Sequence, residues 1–364
     1  MFPPRILRRI LMPLTVLVVL LVLALLLVVV CVAAVVRPLT PRARLLRVAW
    51  FGAAYLLIDL RVLLSCMILW LRSPLPGRRD QAAWAEEHWR LLEEALRGAL
   101  AAGRRAFGFR VVVDEPTPRE VGKVPVDEPL LVLARHAGPG DSFAIAHLLM
   151  VDYGRRPRIV LKDTLQLDPA LDILLNRLSC CFIPSRSGAG DDLPRRLGEL
   201  AAGLEGPEAL LIFPEGGNWT PRRRRRAIRR LRRRGHFAEA AQARRMPHVM
   251  PPRPAGVQAC LAARPDLDVV VVAHAGLDRL VSPAQVWRAL PLAVPMRLRW
   301  WHVPASRVPR SAEAQTQWLV DQWAEVDEWV AARPPRSIAD PAGGTGTPGG
   351  GAPMSAATGS AGEG

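Results

Sequence analysis

Leu130-Leu-Val-Leu-Ala-Arg-His136-Ala-Gly-Pro-Gly-Asp141-Ser-Phe143 is the stretch that decides the fold. Its first five residues form a short apolar run of the kind found in a buried strand. The run ends at a histidine, a Gly-Pro-Gly turn follows, and Asp141 opens a helical stretch from Ser142 to Met150. Outward from it, similar apolar or β-branched runs recur at 110–113, 158–161, 181–184, 209–213, 268–273 and 296–301. Helical stretches lie between them, and an amphipathic helix over Trp84–Ala102 precedes them. The alternation predicts an α/β fold, a mixed sheet covered by helices. Near the end, Leu319, Trp323, Val326 and Val330 share one helical face, which is expected to pack on the core.

Three polar turns follow apolar runs. On one continuous helix, His136 and Asp141 at spacing i, i+5 would not meet. A tight turn can fold the carboxylate back toward the ring. Held as an anion at a helix N-terminus, Asp141 would fix the histidine tautomer and leave the other nitrogen free as a general base. The same pair also reads as an N-cap aspartate beside a core histidine. The second turn is Phe213-Pro214-Glu215-Gly216-Gly217-Asn218. There Glu215 could bind substrate hydroxyls, and N–H groups of Gly216 and Gly217 could meet an oxyanion or phosphate; a simple Pro-Glu-Gly turn is the alternative. The third, Phe182-Ile183-Pro-Ser-Arg186, delivers a guanidinium suited to phosphate, or else a surface arginine.

In this order, His136-x4-Asp141, Phe182-Ile183-x2-Arg186 and Phe213-Pro214-Glu215-Gly216 resemble the glycerolipid acyltransferase family, best known for acyl-CoA:lysophosphatidate acyltransferases. Val160-Leu-Lys162 with Pro169 resembles the family's segment between the first two motifs. Pro247-His-Val-Met-Pro-Pro-Arg253-Pro-Ala-Gly256 is similar to the fourth block of the branch containing lysocardiolipin acyltransferases. The resemblance covers Leu130 to Val257. It implies that His136 deprotonates an acceptor hydroxyl, that Asp141 orients His136, and that Arg186, Glu215 and Gly216 belong to the acceptor site, with Arg186 facing a phosphate. It further implies acyl-CoA or acyl-carrier protein as donor, a lysophospholipid such as 1-acylglycerol 3-phosphate as acceptor, and neither a cofactor nor a metal. One departure stands out. The family continues Phe-Pro-Glu-Gly with Thr-Arg or Ser-Arg, and this chain has Gly217-Asn218. Arg222 or Arg253 would have to supply the missing cation.

Leu11 to Val36 is a run of 26 residues without a charge. As a helix it would measure roughly 39 Å, against about 30 Å of bilayer hydrocarbon. It reads as a retained transmembrane helix over 11–36. The arginine excess on its C-terminal side favours a cytoplasmic domain, and a composition rich in Ala, Gly, Pro and Arg, like that of a GC-rich bacterial genome, points to a bacterial plasma membrane. Within 48–71, Asp59 and Arg61 interrupt a second apolar stretch, which favours an interfacial or hairpin helix. The expected organisation is an anchor over 1–75, an acyltransferase domain over 80–332 and a disordered Gly/Pro/Ala-rich tail over 333–364.

The 364-residue chain carries a net charge of +16, and its only lysines are Lys123 and Lys162. Ten of the thirteen residues from Arg222 to Arg234 are arginine. Without interleaved aromatics to stack bases, that tract fits anionic lipid or substrate phosphate better than nucleic acid. The five cysteines show no metal-ligand spacing and no paired framework, and read as small buried hydrophobes. Two further readings stay open: transfer to another lysophospholipid or a glycolipid, and a non-catalytic scaffold that binds anionic lipid.

Overall fold

The computed structural model describes residues 5–37, 43–73, 80–114, 124, 127–138, 140–178, 180–183, 192–278, 280 and 282–333. The chain opens with α1 (Arg5–Val35) and α2 (Arg44–Arg72), both long and apolar enough to cross a membrane by length and composition. On α1, Leu14, Leu21, Leu25 and Val35 are each more than half exposed, an apolar surface that water would not favour. α2 has different surroundings. It packs against α1, α3 (Gln81–Phe107) and α5 (Pro169–Arg177). Asp59 is buried against Asp168 at the start of α5, where the Tyr55 hydroxyl also donates to Asp168 at 2.5 Å. Arg61 pairs with Glu94 of α3. Of the two charges that argue against a span over 48–71, Arg61 thus has an ionic partner within the protein, whereas Asp59 faces another carboxyl.

Among the described residues, seven strands form one sheet: β1 (Val111–Val113), β2 (Leu130–Ala134), β3 (Arg156–Lys162), β4 (Cys181–Ile183), β5 (Glu208–Ile212), β6 (Asp268–Ala275) and β7 (Met296–Val303). Their order is β1-β7-β6-β2-β5-β3-β4. All neighbours are parallel except β6 and β7, so the sheet is mixed, as the alternation predicts. The central pair pairs Leu131 with Leu210 and Leu133 with Ile212, and every residue of both strands is buried. That double-sided burial explains why they read as unbroken apolar runs rather than alternating ones.

Helices cover both faces. On one, α3, α5 and α4 (Asp141–His147, continued by a π-helical turn over Leu148–Asp152) enclose Trp89, Ile145 and Leu174. On the other, α6 (Leu193–Ala202), α9 (Pro254–Ala263) and α11 (Ala312–Ala331) enclose Leu197, Cys260 and Trp323. Leu319, Trp323, Val326 and Val330 are all buried, as their spacing predicts. The arginine tract forms α7 (Pro221–Arg233), capped by the Thr220 hydroxyl at 3.1 Å from the Arg223 N–H and packed against α8 (Phe237–Arg245). α10 (Pro283–Ala289) completes the α-helices among the described residues.

Two details depart from the sequence-based expectations. Cys31 is exposed and Cys180 half-buried, so only Cys66, Cys181 and Cys260 behave as buried hydrophobes; all five are free thiols. Arg333, placed at the start of the tail, is anchored by Asp114 at the end of β1 (2.7 Å) and stacks 4.1 Å from the Trp329 ring centroid. The rest of the expected tail, 334–364, lies outside the described residues.

Candidate active site

The C-terminal ends of β2 and β5 lie side by side at the middle of the sheet, where open α/β sheets place their ligands. After β2 the chain turns through Gly140 at φ +84 and starts α4 with Asp141. Gly138 within that turn is approached so closely by Leu277 that an added Cβ would sit 2.4 Å from the Leu277 side chain. The turn therefore closes only with glycine there. It brings the Asp141 carboxylate oxygens 2.9 and 3.0 Å from His136 Nδ1. The turn geometry thus performs what an unbroken helix at i, i+5 would not.

Asp141 is 1 % exposed. Its Oδ2 accepts the Ala137 N–H at 2.9 Å and the Gly138 N–H at 3.2 Å, and its Oδ1 accepts the Ser142 N–H and hydroxyl. A second imidazole, His274 at the end of β6, lies 3.4 Å from Oδ2. Burial by itself would push this carboxyl up, but the bonds from His136 and His274 win and hold it well below the usual carboxylate range. A permanent anion facing Nδ1 makes that nitrogen the protonated one, so Nε2 of the neutral ring carries the free lone pair. His136 is about one-fifth exposed, and among the described residues none bonds Nε2. The ring leans on Phe213, centroids 4.6 Å apart, and the His136 carbonyl accepts the Trp219 N–H at 2.6 Å.

The second turn is built differently. Gly216 adopts φ +66, and its N–H is engaged by the Phe213 carbonyl at 3.0 Å, so it is not free for an oxyanion. Among the described residues no acceptor meets the Gly217 N–H. Glu215, expected to face acceptor hydroxyls, is instead 1 % exposed and directed toward α11, where Trp323 Nε1 donates to it at 3.2 Å. Its other oxygen, Oε2, has no partner among the described residues. Burial pushes this carboxyl up to about 8, against the opposing pull of the Arg135 cation. A cavity of about 210 Å³ opens beside it, walled by Arg230, Arg253 and Met250 among others.

Of the two arginines proposed to replace the missing cation, Arg253 is the one at the turn. Its guanidinium carbon lies 2.8 Å from where a Cβ of residue 216 would be, and the Arg253 backbone N–H donates to the Pro214 carbonyl at 2.9 Å. Only glycine at 216 leaves room for it. Arg222 lies exposed on α7, while its neighbour Arg223 donates to the Asn218 carbonyl at 3.3 Å. Arg186 lies outside the described residues; Phe182 and Ile183 before it sit on β4.

Sequence reasoning missed three contributors. Arg135, fully buried beside His136, pairs with Asp278 and donates to the carbonyls of His274 and His248, each at 2.6 Å. Trp219 ties the second turn to His136, and His274 backs Asp141. The only signal was an arginine or histidine ending an otherwise apolar strand.

Residues 111–255, from β1 to the start of α9, match a family model described as Acyltransferase. The match spans the segment that carries the motifs and supports the resemblance of their order to the glycerolipid acyltransferases. Among curated proteins none matches the chain.

Proposed function

We propose that the protein transfers a fatty acyl group from acyl-CoA or acyl-carrier protein to the free hydroxyl of a lysophospholipid, 1-acyl-sn-glycerol 3-phosphate being converted to phosphatidate. The observation that carries this reading is the His136–Asp141 pair, with Nδ1 held by the carboxylate and Nε2 open. His136 Nε2 takes the hydroxyl proton as the oxygen attacks the thioester carbonyl. The tetrahedral intermediate then collapses, the C–S bond breaks, and the imidazolium returns a proton to the leaving thiolate. Asp141 orients the ring and stabilises the imidazolium. The Gly217 N–H, which meets no acceptor among the described residues, is available to an oxyanion.

The acceptor phosphate is assigned to Arg253 over Gly216, with Arg186 as the family resemblance implies. Glu215 acts from beneath the turn, not by touching the acceptor. A domain over 80–332 anchored through 1–75 would work at the cytoplasmic face of a bacterial plasma membrane. α7 supports contact with anionic lipid: Arg222, Arg223, Arg229, Arg232 and Arg233 are exposed, and Phe237 beside them is 67 % exposed. Arg224 is the exception, since it donates to the carbonyls of Ala243, Arg244 and Met246 and fastens α7 to α8.

The test is acyl transfer in membranes carrying wild type or His136→Ala, with labelled acyl-CoA and lysophosphatidate. Product from wild type alone is expected; equal product from both would sink the base assignment. Gly217-Asn218, where the resemblance predicts an arginine, favours a second reading with a different lysophospholipid or glycolipid acceptor. A panel of acceptors with that same pair of proteins separates the two.

A further inference from the structure

The carboxylate that orients His136 has a second imidazole behind it. His274 is fully buried on β6, directly beside β2. Its Nε2 lies 2.8 Å from the Arg135 carbonyl oxygen. A carbonyl only accepts, so Nε2 carries the hydrogen. The same N–H lies 3.4 Å from Asp141 Oδ2, close enough for one donor to be shared between two acceptors. The other nitrogen, Nδ1, is buried with no partner among the described residues. An orphaned buried nitrogen is unfavourable, and an apolar side chain of similar size would avoid it. The bond to the Arg135 carbonyl accounts for Nε2, and the unpartnered Nδ1 is a cost set against it.

The rest of this segment grips the same turn. Leu277 closes on Gly138, Asp278 pairs with Arg135 and accepts the Gly276 N–H at 3.0 Å, and Arg135 donates back to the His274 carbonyl. We propose that His274 is a positioning residue for acyl transfer: its Nε2–H bridges the Arg135 carbonyl and the Asp141 carboxylate and so sets the orientation of His136. The proposal rests on the acyl-transfer reading above. The charged groups facing this cluster are Arg135 from the end of β2, Asp141 from α4, Asp278 after β6 and Glu215 after β5.

The test compares His274→Leu, His274→Gln and His274→Asn in the full chain. Leucine removes the donor, glutamine carries an amide nitrogen at the reach of Nε2, and asparagine falls one bond short. With one donor fewer, the Asp141 carboxylate keeps more charge for the His136 imidazolium. The acidic limb of kcat/KM against pH should then move to higher pH. For His274→Leu we expect kcat to fall about tenfold, as for the loss of one charge-assisted bond, with KM for lysophosphatidate unchanged. His274→Gln should restore most of kcat and the position of the limb. A folded His274→Leu protein with wild-type kcat and limb would overturn the proposal, as would a glutamine variant no better than leucine. Should His274→Leu fail to fold, glutamine against asparagine decides, and identical profiles for those two would also overturn it. Absence of any His136-dependent turnover in the wild type would instead remove the acyl-transfer reading, and this proposal with it.

Discussion

Asp141 and Glu215 stand at the ends of adjacent strands, each 1 % exposed, and the fold treats them oppositely. Around Asp141 the turn supplies backbone N–H groups, a hydroxyl and the His136 imidazole, and β6 adds the His274 imidazole, so the anion is better satisfied than it would be in water. Around Glu215 there are an indole N–H, one backbone bond and an unpartnered oxygen, so desolvation dominates and the proton stays on to about 8. Burial alone therefore does not determine the charge of a carboxyl; the number of donors aimed at it does. The pair resembles the general arrangement in which two neighbouring acids are pushed apart to take different tasks.

Asp141→Asn attacks the comparison most directly. The amide neither fixes the tautomer nor stabilises the imidazolium, and kcat should fall by about 10³–10⁴. Initial rates of acyl transfer check this, and a loss below about tenfold would mean that the carboxylate does not orient the base. Arg135→Met should come next. It strands the buried Asp278 and removes the cation that restrains Glu215, a change expected to lower stability by about 3–5 kcal/mol. Denaturant midpoints in detergent measure it; an unshifted midpoint would show that the buried pair is dispensable.

Glu215→Gln sharpens the contrast through pH. An unfolded glutamate loses its proton near 4.5, whereas the folded one holds it to about 8. Between those values the unfolded chain binds fewer protons, so wild-type stability should decline as pH rises and level off above about 8. Glutamine cannot ionise, so this part of the slope should vanish in the variant. Asp141 works with the other sign: its contribution is fully present above the ordinary carboxylate range and is lost progressively as pH falls through and below it. Melting temperatures of wild type, Glu215→Gln and Asp141→Asn across about pH 2–9 read both; a wild type and a Glu215→Gln variant with parallel curves would place Glu215 ionised. The smallest effect is expected on α7. Changing Arg229, Arg232 and Arg233 to Gln should weaken stimulation by anionic lipid, each residue contributing about 1 kcal/mol near the surface, and leave activity in neutral detergent unchanged. Unaltered dependence on anionic lipid in reconstituted vesicles would remove that surface from the account.

The apolar runs of β2 and β5 and the stripe on α11 were legible because burial on both strand faces, and on one helix face, writes itself directly into composition. The His136-x4-Asp141 spacing named a pair and left its geometry open, since a turn that brings side chains together has the same letters as one that does not. The direction of Glu215 was not legible at all: a strand end gives no hint of which side of the sheet the next side chain will take. His274 was hidden more deeply. It lies 133 residues beyond Asp141 in sequence, on a strand that becomes its neighbour only when the sheet is assembled.

By itself, the sequence determined the apolar N-terminal helix, the α/β class, the basic face of α7 and the residues able to act as base and orienting acid. These follow from local pattern and side-chain chemistry. Only the tertiary structure decided that Asp141 is a fully satisfied anion, that Glu215 turns inward and keeps its proton, that Arg253 closes over Gly216, and that His274 stands behind the pair. Each depends on donors and cations delivered by strands and loops distant in sequence, and a carboxyl's charge is fixed by what finally surrounds it.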